Sequence, residues 1–133
     1  MVSGSVEPKA VVVMTGRVDP ASVPAIYAAS QVVVDPVLDD ATARARSPLK
    51  VIEASACGVP VVTGNVGDRS ELLGAGRAGL LVTPGSPESL AEGLLSLLEN
   101  PAQLACMAEA ARQLRGRFGW DVLAREFVKI YDG

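Results

Sequence analysis

Three features of the sequence predict an α/β fold with a parallel sheet. Four short apolar runs have the length of buried strands, at residues 10–14, 31–34, 59–62 and 79–82, and the run at 59–62 is β-branched. Segments with helical spacing of apolar residues separate these runs, and Gly or Pro residues punctuate the boundaries. Strands that alternate with helices are typical of parallel sheets, because each helix returns the chain to the end where the previous strand began.

The composition limits the classes of function that this chain can perform. Its 133 residues suit one domain, and 49% hydrophobic with 4% aromatic residues predicts an aliphatic core. The net charge of −3 argues against binding of duplex nucleic acid through bulk charge. Because the chain has no histidine, it supplies no histidine base, imidazole metal ligand or Ser-His-Asp triad.

The two cysteines and the hydropathy pattern predict a cytoplasmic protein. Cys57 and Cys106 are too far apart for zinc-ligand spacing, so we expect two free thiols in a reducing compartment. No apolar run approaches the ~18 residues of a membrane span, and the start lacks a signal-peptide core. We expect a cytoplasmic location. The alternative is a cytoplasmic protein that attaches to the surface of the membrane.

The first part of the chain is predicted to alternate between strand and helix. Residues 1–9 are small and polar, and we expect them to be frayed. The spacing of Val23, Ile26 and Tyr27 predicts a short helix between the first two strands. Residues 37–46 have no clear apolar periodicity and are predicted to form a loop.

The second part of the chain is predicted to be mainly helical. Residues 64–70 are rich in turn formers, and Asp68 is placed to cap a short helical turn. Ser86 is the predicted cap of a helix that begins at Pro87, and residues 100–101 break this helix and start the next. The last predicted helix is amphipathic, with an apolar face of Trp120, Leu123, Ala124, Phe127 and Ile130.

Residues 47–64 have the pattern of a capped helix, a glycine stop and a buried strand. Ser47 is the predicted N-cap and Pro48 the first helical residue, while Gly58 is predicted to end the helix. Glu53 is unusual because its neighbours in this helix are small or apolar. A carboxylate near a core face needs a partner, since burying it unpaired costs several kcal/mol.

The same segment carries a resemblance to a known family. Residues 48–62 are P-L-K-V-I-E-A-S-A-C-G-V-P-V-V, which resembles the donor-site signature of the retaining glycosyltransferases of family 4, enzymes with the GT-B fold. The resemblance extends through residues 79–91 to the Phe118-Gly119-Trp120 and Tyr131 positions. It implies a Rossmann-like parallel sheet with flanking helices, in which residues 10–133 form an incomplete C-terminal, nucleotide-sugar-binding domain.

The start of this helix is the predicted donor site. Because unpaired amides at a helix start attract anions, the N–H groups of Leu49 and Lys50 are candidate diphosphate ligands. A carboxylate accepts two hydrogen bonds from a ribose diol, and the resemblance implies this role for Glu53. The alternative is that Glu53 pairs with a nearby Arg or Lys. No catalytic residue is predicted in this chain.

The chain departs from the family pattern at one position. The usual motif has another glutamate eight positions before Glu53, and here that position holds Ala45. In the family this first glutamate contacts the donor sugar, so the departure weakens the sugar contacts more than nucleotide binding. Arg44, Arg46 and Lys50 form a basic segment here that can meet the diphosphate electrostatically, with a solvated basic loop as the alternative. Ser47 is a further candidate ligand at the helix start.

Two residues near the start are candidates for contact with the nucleobase. Gly16 and Arg17 follow the first predicted strand, and α/β sheets place ligands at the carboxyl ends of strands. The resemblance also implies that this loop lies near the base. The alternative for Arg17 is an ordinary surface arginine.

Two other patterns are interpreted as structural. Residues 74–79 spell G-x-G-x-x-G, but they follow a short helix and open a strand, which is the wrong context for a dinucleotide fingerprint. Asp35, Asp39 and Asp40 lie close together in the sequence and suggest a metal-binding or phosphoacceptor cluster. We interpret them as helix caps and solvated loop carboxylates.

The sequence therefore predicts the donor-binding part of a retaining glycosyltransferase that transfers a sugar from a nucleotide diphosphate sugar and is inactive alone. The alternative is a non-catalytic binding or assembly module derived from such an enzyme. No metal or other cofactor is expected, because the nucleotide sugar is a substrate. The resemblance implies a missing acceptor-binding domain or partner chain, and we expect homo-oligomers through an exposed strand edge and the last helix. No nucleic-acid partner is expected.

Overall fold

The computed structural model describes residues 11–131. Within this range the chain forms three strands, seven α-helices and two short 3-10 helices at Pro20–Ser22 and Arg115–Phe118. In chain order the regular elements are α1 (Val23–Ala28), β1 (Val33–Asp35), α2 (Ala41–Ala45), α3 (Leu49–Ala56), β2 (Val61–Gly64), α4 (Arg69–Leu72), β3 (Gly79–Val82), α5 (Pro87–Leu98), α6 (Pro101–Leu114) and α7 (Trp120–Tyr131).

The strands form one parallel sheet in the order β1-β2-β3, which confirms the predicted α/β class. Val61 of the central strand is in register with Val33 on one side and with Gly79 on the other. All four residues of β2 are buried, as expected for a strand covered on both faces. Gly79 has no Cβ, and an added Cβ there would run into the carbonyl of Val61. A larger residue at this position would therefore push β3 away from β2.

The predicted strand at 10–14 is wrong for the residues that the structure describes. Residues 11–14 belong to no strand, and the side chains of Val11 and Met14 are 83% and 88% exposed. A strand exists only when a neighbour accepts and donates its backbone hydrogen bonds, and β-branched composition does not supply that neighbour. Ala10 and the expectation that residues 1–9 are frayed lie outside the described residues.

The sheet is packed between helices on both faces. Val61 packs in a cluster with Val51 and Ala54 of α3, whereas the adjacent Val62 packs with Leu97 of α5. Because successive strand residues point to opposite faces, α3 and α5 lie on opposite sides of the sheet. Helix α6 contributes to both clusters.

The helix starts predicted at Ser86 and at residues 100–101 are confirmed. The Ser86 hydroxyl accepts from the N–H of Ser89 at 3.1 Å, and Pro87 is the first residue of α5. Asn100 caps α6 by accepting from the N–H of Gln103 at 3.1 Å. Asp68 does sit at the cap position of α4, but its side chain makes no capping hydrogen bond.

Two further segments can be compared with their predictions. The loop predicted at 37–46 contains a short helix, α2, which is capped by Asp40 through the N–H of Ala43 at 2.7 Å. Residues 74–78 form a turn between α4 and β3, as interpreted from the sequence context, and Gly76 takes a φ of +82° there. Across residues 11–131, the helices are too short or too polar to cross a bilayer.

Candidate functional site

Helix α3 begins one residue later than the sequence indicates. Pro48 is the N-cap, with φ −82° and ψ 100°, and its carbonyl accepts the first helical hydrogen bond from the N–H of Val51 at 3.0 Å. The prediction of Ser47 as N-cap is therefore wrong, because the extended ψ of Pro48 puts Ser47 outside the helix. Proline has no side-chain acceptor, and no described residue accepts from the N–H groups of Leu49 and Lys50. These two amides are thus directed out of the helix start.

The other end of α3 has the glycine stop that the sequence predicts. The helix closes at Cys57, and Gly58 follows with a φ of +75°. The N–H of Val59 donates to the carbonyl of Ala54 at 2.9 Å, and that of Gly58 donates to Ser55 at 2.9 Å. This pair of bonds is a Schellman motif, which fixes the angle at which the chain leaves α3 and enters β2.

Glu53 lies on the second turn of α3 with its carboxylate exposed. The expectation that it lies near a core face is wrong, because the buried face of this helix is formed by Val51, Ala54 and Ser55. Among the described residues its partner is the phenol of Tyr27, which donates to Oε2 at 3.1 Å. The alternative of a paired Arg or Lys is also not observed in residues 11–131.

The partner of Glu53 remains a neutral donor over a wide pH range. Partial burial of the Tyr27 ring raises the pKa of the phenol, and the hydrogen bond to Glu53 adds to this, giving a value of about 12. The ring packs against the cluster of buried residues between α3 and α6. Tyr27 therefore ties the carboxylate of Glu53 to the body of the domain.

Lys50, at the second position of α3, contacts a buried carboxylate. Its ammonium nitrogen lies 3.1 Å from Oδ1 of Asp35, whose side chain is only 3% exposed. The other oxygen, Oδ2 of Asp35, accepts from Arg69 Nε at 3.0 Å. The Thr63 hydroxyl lies 3.0 Å from Oδ2 and 3.0 Å from the backbone carbonyl oxygen of Asp35. The interpretation of Asp35 as a cap or a solvated carboxylate is wrong, because it is the last residue of β1 and faces two cations and a hydroxyl.

The buried guanidinium of Arg69 connects several segments. Its Nη1 lies 3.4 Å from the carbonyl oxygen of Ala43 and 3.3 Å from that of Val66, in addition to the contact with Asp35. Burial by itself raises the pKa of Asp35, but the hydrogen bonds from Lys50, Arg69 and Thr63 outweigh it and hold the pKa below its ordinary value. Asp35 is therefore an anion in the folded protein at neutral pH.

The other predicted ligands are less well placed. Arg46 and Ser47 lie exposed on the segment just before α3, as expected for residues that face solvent at the helix start. Gly16, with a φ of +65°, and Arg17 are exposed, but they do not follow a strand, so the reason for placing them at a strand end is wrong. Arg44, also in the basic segment, is engaged by Asp39 at 2.6 Å.

Of the acidic residues, Asp39 and Asp40 behave as interpreted, one as a solvated loop carboxylate and one as a cap. Residues 11–131 contain no group of three His, Cys, Asp or Glu side chains that could hold a metal ion. Tyr27, Asp35 and Arg69 are parts of this region that are not predicted from the sequence. A carboxylate at the end of a buried strand was a usable signal for Asp35, whereas nothing local marks Tyr27 or Arg69.

A cavity of about 340 Å³ opens at the carboxyl end of the sheet. Its lining includes Pro36, Gly64 and Thr83, which lie at the ends of β1, β2 and β3. Most of the lining is apolar. The carboxyl ends of parallel strands are the edge at which α/β domains bind ligands.

Comparison with known proteins places the chain in a family. The family model described as Glycosyl transferases group 1 matches residues 2–100. A D-inositol 3-phosphate glycosyltransferase of Corynebacterium urealyticum is 33% identical over 112 residues, covering 84% of this chain and 25% of the relative. A glycogen synthase of Mycobacterium tuberculosis is 36% identical over 84 residues, or 62% of this chain and 20% of the relative.

Solved structures give the same assignment. A sucrose-phosphate synthase from Thermosynechococcus elongatus superimposes with a TM-score of 0.75 at 28% identity, covering 88% of this chain and 28% of that one. Anabaena HepE, solved with UDP and glucose, superimposes with a TM-score of 0.69 at 27% identity, covering 80% of this chain and 28% of that one.

The chain spans between 19% and 25% of the length of the curated relatives that it matches first. Both solved structures have the GT-B fold, and the sheet described above corresponds to part of it. The family model covers well over half of the sequence and includes α3 with Glu53 and Lys50. The chain therefore belongs to the group 1 glycosyl transferases.

Proposed function

We propose that this chain carries the donor-nucleotide site of a retaining, sugar-nucleotide-dependent glycosyltransferase. The observation that carries the proposal is the start of α3, where two outward-directed amides, an ammonium group and an exposed carboxylate lie within two helical turns. Amides and ammonium groups bind phosphate, and a carboxylate binds a diol, so the set matches a nucleoside diphosphate. The UDP found in a similar solved structure supports this ligand class.

The proposed roles follow from the charges. Glu53 accepts hydrogen bonds from the ribose hydroxyls, and its Oε1, which has no partner among the described residues, is available for them. The amides of Leu49 and Lys50, with the Lys50 ammonium, stabilise the diphosphate. When the bond between the anomeric carbon and the diphosphate oxygen breaks, the diphosphate gains negative charge, and these donors stabilise it there. The acceptor hydroxyl then forms the new bond to the anomeric carbon on the same face of the sugar, and its proton passes to the departing diphosphate oxygen.

The chain contributes this chemistry only in part. Ala45 provides no carboxylate for the donor sugar, so the nucleotide supplies most of the binding free energy. We propose that an acceptor-binding domain or partner chain completes the enzyme and that the chain alone does not turn over. We also propose that donor binding needs no metal, so that treatment with a chelator leaves nucleotide affinity unchanged.

The second candidate function is a non-catalytic assembly module derived from a glycosyltransferase. Ala45 favours it, as does the exposed apolar surface of α7, where Trp120 and Ile130 are 86% and 74% exposed. Strand β1 pairs only with β2 among the described residues, so its other edge is open as well. In this case a partner chain or a second copy of this chain covers the apolar surface of α7 and the open edge of β1.

Calorimetric titration with UDP, GDP and ADP separates the two functions. For the donor site we expect one of these nucleotides to bind, and Glu53→Ala to weaken it by roughly tenfold or more, since a charged acceptor contributes ~1.5–3 kcal/mol per hydrogen bond. Glu92→Ala, which removes an exposed carboxylate from α5, is the matched control and leaves affinity unchanged. Failure of all three nucleotides to bind, together with a protein that co-purifies in stoichiometric amount, decides for the assembly module.

A further inference from the structure

We propose that Asp35 is a positioning residue, which holds the ammonium group of Lys50 where the donor diphosphate binds. The inference rests on the proposed function and adds to it a buried residue that touches no substrate. The two oxygens of the Asp35 carboxylate have different partners, Lys50 on Oδ1 and Arg69 on Oδ2.

One oxygen of Asp35 anchors the carboxylate. Oδ2 accepts from Arg69 Nε at 3.0 Å, and Arg69 itself is fully buried. The Thr63 hydroxyl lies 3.0 Å from Oδ2 and also 3.0 Å from the backbone carbonyl oxygen of Asp35, so its one proton serves one of these two acceptors. Thr63 belongs to β2 and is in register with Asp35 on β1. The charge-assisted hydrogen bond from the buried Arg69, with Thr63 packed beside the same oxygen, restricts rotation of the carboxylate and sets the direction of the other oxygen.

The other oxygen is directed at Lys50. Oδ1 lies 3.1 Å from Nζ of Lys50, whose side chain is 52% exposed. A lysine side chain is a point charge on a flexible stem, so a buried partner restricts where its charge lies. The contact therefore orients the ammonium group at the start of α3 while leaving about half of the side chain open to solvent.

The charges in this cluster leave Lys50 with an available positive charge. Arg69 and Lys50 share one carboxylate, so the three groups sum to +1 in a chain of net charge −3. Arg69 is fully buried, whereas the side chain of Lys50 is half-exposed, so Lys50 is the cation of this cluster that an anion can reach. Because Lys50 is the second residue of α3, this charge and the outward-directed amides of Leu49 and Lys50 act on the same anion.

The experiment compares the nucleotide that binds wild-type protein with its own nucleoside, which lacks the phosphates, so that the ratio of their affinities reports the phosphate contacts alone. The pair is written here as UDP and uridine, and it is GDP with guanosine or ADP with adenosine where one of those nucleotides binds instead. We expect Lys50→Met to lower this ratio roughly tenfold, as for one charge-assisted hydrogen bond. Asp35→Asn is expected to lower it by a similar factor, and the double variant no further, because both changes remove the same contact. Uridine affinity is expected to stay constant in all three variants. Lys129→Met, on the exposed face of α7, is the matched control and leaves the ratio unchanged.

Each outcome has a defined meaning. An Asp35→Asn variant that keeps the ratio, or that loses uridine and UDP affinity equally, overturns the positioning role, and the second result assigns Asp35 to the fold alone. Both results leave the proposed function intact, because the wild-type chain still binds UDP. A wild-type chain that binds neither uridine nor UDP, GDP or ADP overturns the proposed function and this inference with it.

Loss of Asp35 leaves Arg69 buried without its carboxylate, so the variant can fail to fold. Asp35→Asn/Arg69→Met removes both buried charges, and the same ratio is then measured in this variant. A second comparison, of Arg46→Met with Lys50→Met, leaves the buried pair of Asp35 and Arg69 unchanged. Arg46 is an exposed cation just before α3 and has no carboxylate partner among the described residues. Positioning predicts the larger loss for Lys50→Met. An equal loss in the two variants, or none in Lys50→Met, overturns the inference.

Discussion

The phenol oxygen of Tyr27 lies 3.1 Å from Oε2 of Glu53, and this hydrogen bond joins α1 to the second turn of α3. Tyr27 is half-buried against the core, so the contact restricts the carboxylate that we propose as the ribose ligand. Positioning of a ligand group before the nucleotide arrives reduces the entropy lost on binding. The relationship has consequences for affinity and for stability at high pH.

Tyr27→Phe is expected to lower nucleotide affinity by a few fold, because Glu53 then loses its fixed orientation but keeps its charge. This is a smaller loss than that expected for Glu53→Ala. Calorimetric titration of both variants with the nucleotide that binds wild-type protein measures the difference. Equal losses in Tyr27→Phe and Glu53→Ala would show that the phenol itself contacts the nucleotide.

Stability at high pH should also depend on Tyr27. Its pKa is raised from 10.0 to about 12 in the folded state, so the unfolded state releases this proton first as the pH rises. The contribution of the neutral phenol is fully present below pH 10.0 and is lost between pH 10.0 and about 12. Urea unfolding across this range should show a steeper loss of stability in wild type than in Tyr27→Phe. Tyr131→Phe, at an exposed position, should follow wild type.

Asp35→Asn is expected to lower the free energy of unfolding by about 3–5 kcal/mol, the usual cost of breaking a buried ion pair by removing one partner. Because the pKa of Asp35 is held below its ordinary value of 3.8, its contribution is present above pH 3.8 and is lost as the pH falls further. Urea unfolding at neutral and acidic pH measures both effects. Asp39→Asn, which removes an exposed carboxylate from its pair with Arg44, is the control and should change stability little. If Asp35→Asn lowers the free energy of unfolding no more than Asp39→Asn does, the buried pair of Asp35 and Arg69 contributes nothing to stability.

Ser55→Ala is expected to stabilise the protein by up to about 1 kcal/mol. The Ser55 hydroxyl is buried without a hydrogen-bond partner in the described part of the chain, and alanine removes the cost of burying it. Alanine also has the higher helix propensity, so the comparison needs a second helical serine. Ser96→Ala on the exposed face of α5 provides it, and chemical denaturation of both variants gives the difference. A Ser55→Ala variant less stable than Ser96→Ala would indicate that the hydroxyl has a partner in solution.

Self-association is expected through α7. Phe127 and Ile130 are 62% and 74% exposed and three residues apart, so they lie on one face of the helix. Sedimentation of the wild-type chain should show a mass that rises with concentration, and Phe127→Ser/Ile130→Ser should shift it towards the monomer. Leu95→Ser, at an exposed leucine of α5, is the matched control. A wild-type mass that stays monomeric at all concentrations would contradict the prediction.

Much of the fold could be predicted because its signals are local. The β-branched run of β2, Gly58 with a φ of +75° and the Ser86 cap each act within a few residues, and sequence shows them directly. Glu53 could be singled out for the same reason, since its motif is continuous along α3. The position of the helix start was missed by one residue, because Ser47 and Pro48 both satisfy cap preferences and only ψ distinguishes them.

The sequence by itself determined the α/β class, the order of the three strands along the chain and the helix that presents Glu53 and Lys50. Only the tertiary structure decided that residues 11–14 form no strand, that Asp35 is buried between two cations and that Tyr27 contacts Glu53. The contacts of Asp35 with Arg69 and of Tyr27 with Glu53 span 34 and 26 residues of chain. Their formation depends on how the sheet and its helices pack, and no local pattern encodes that.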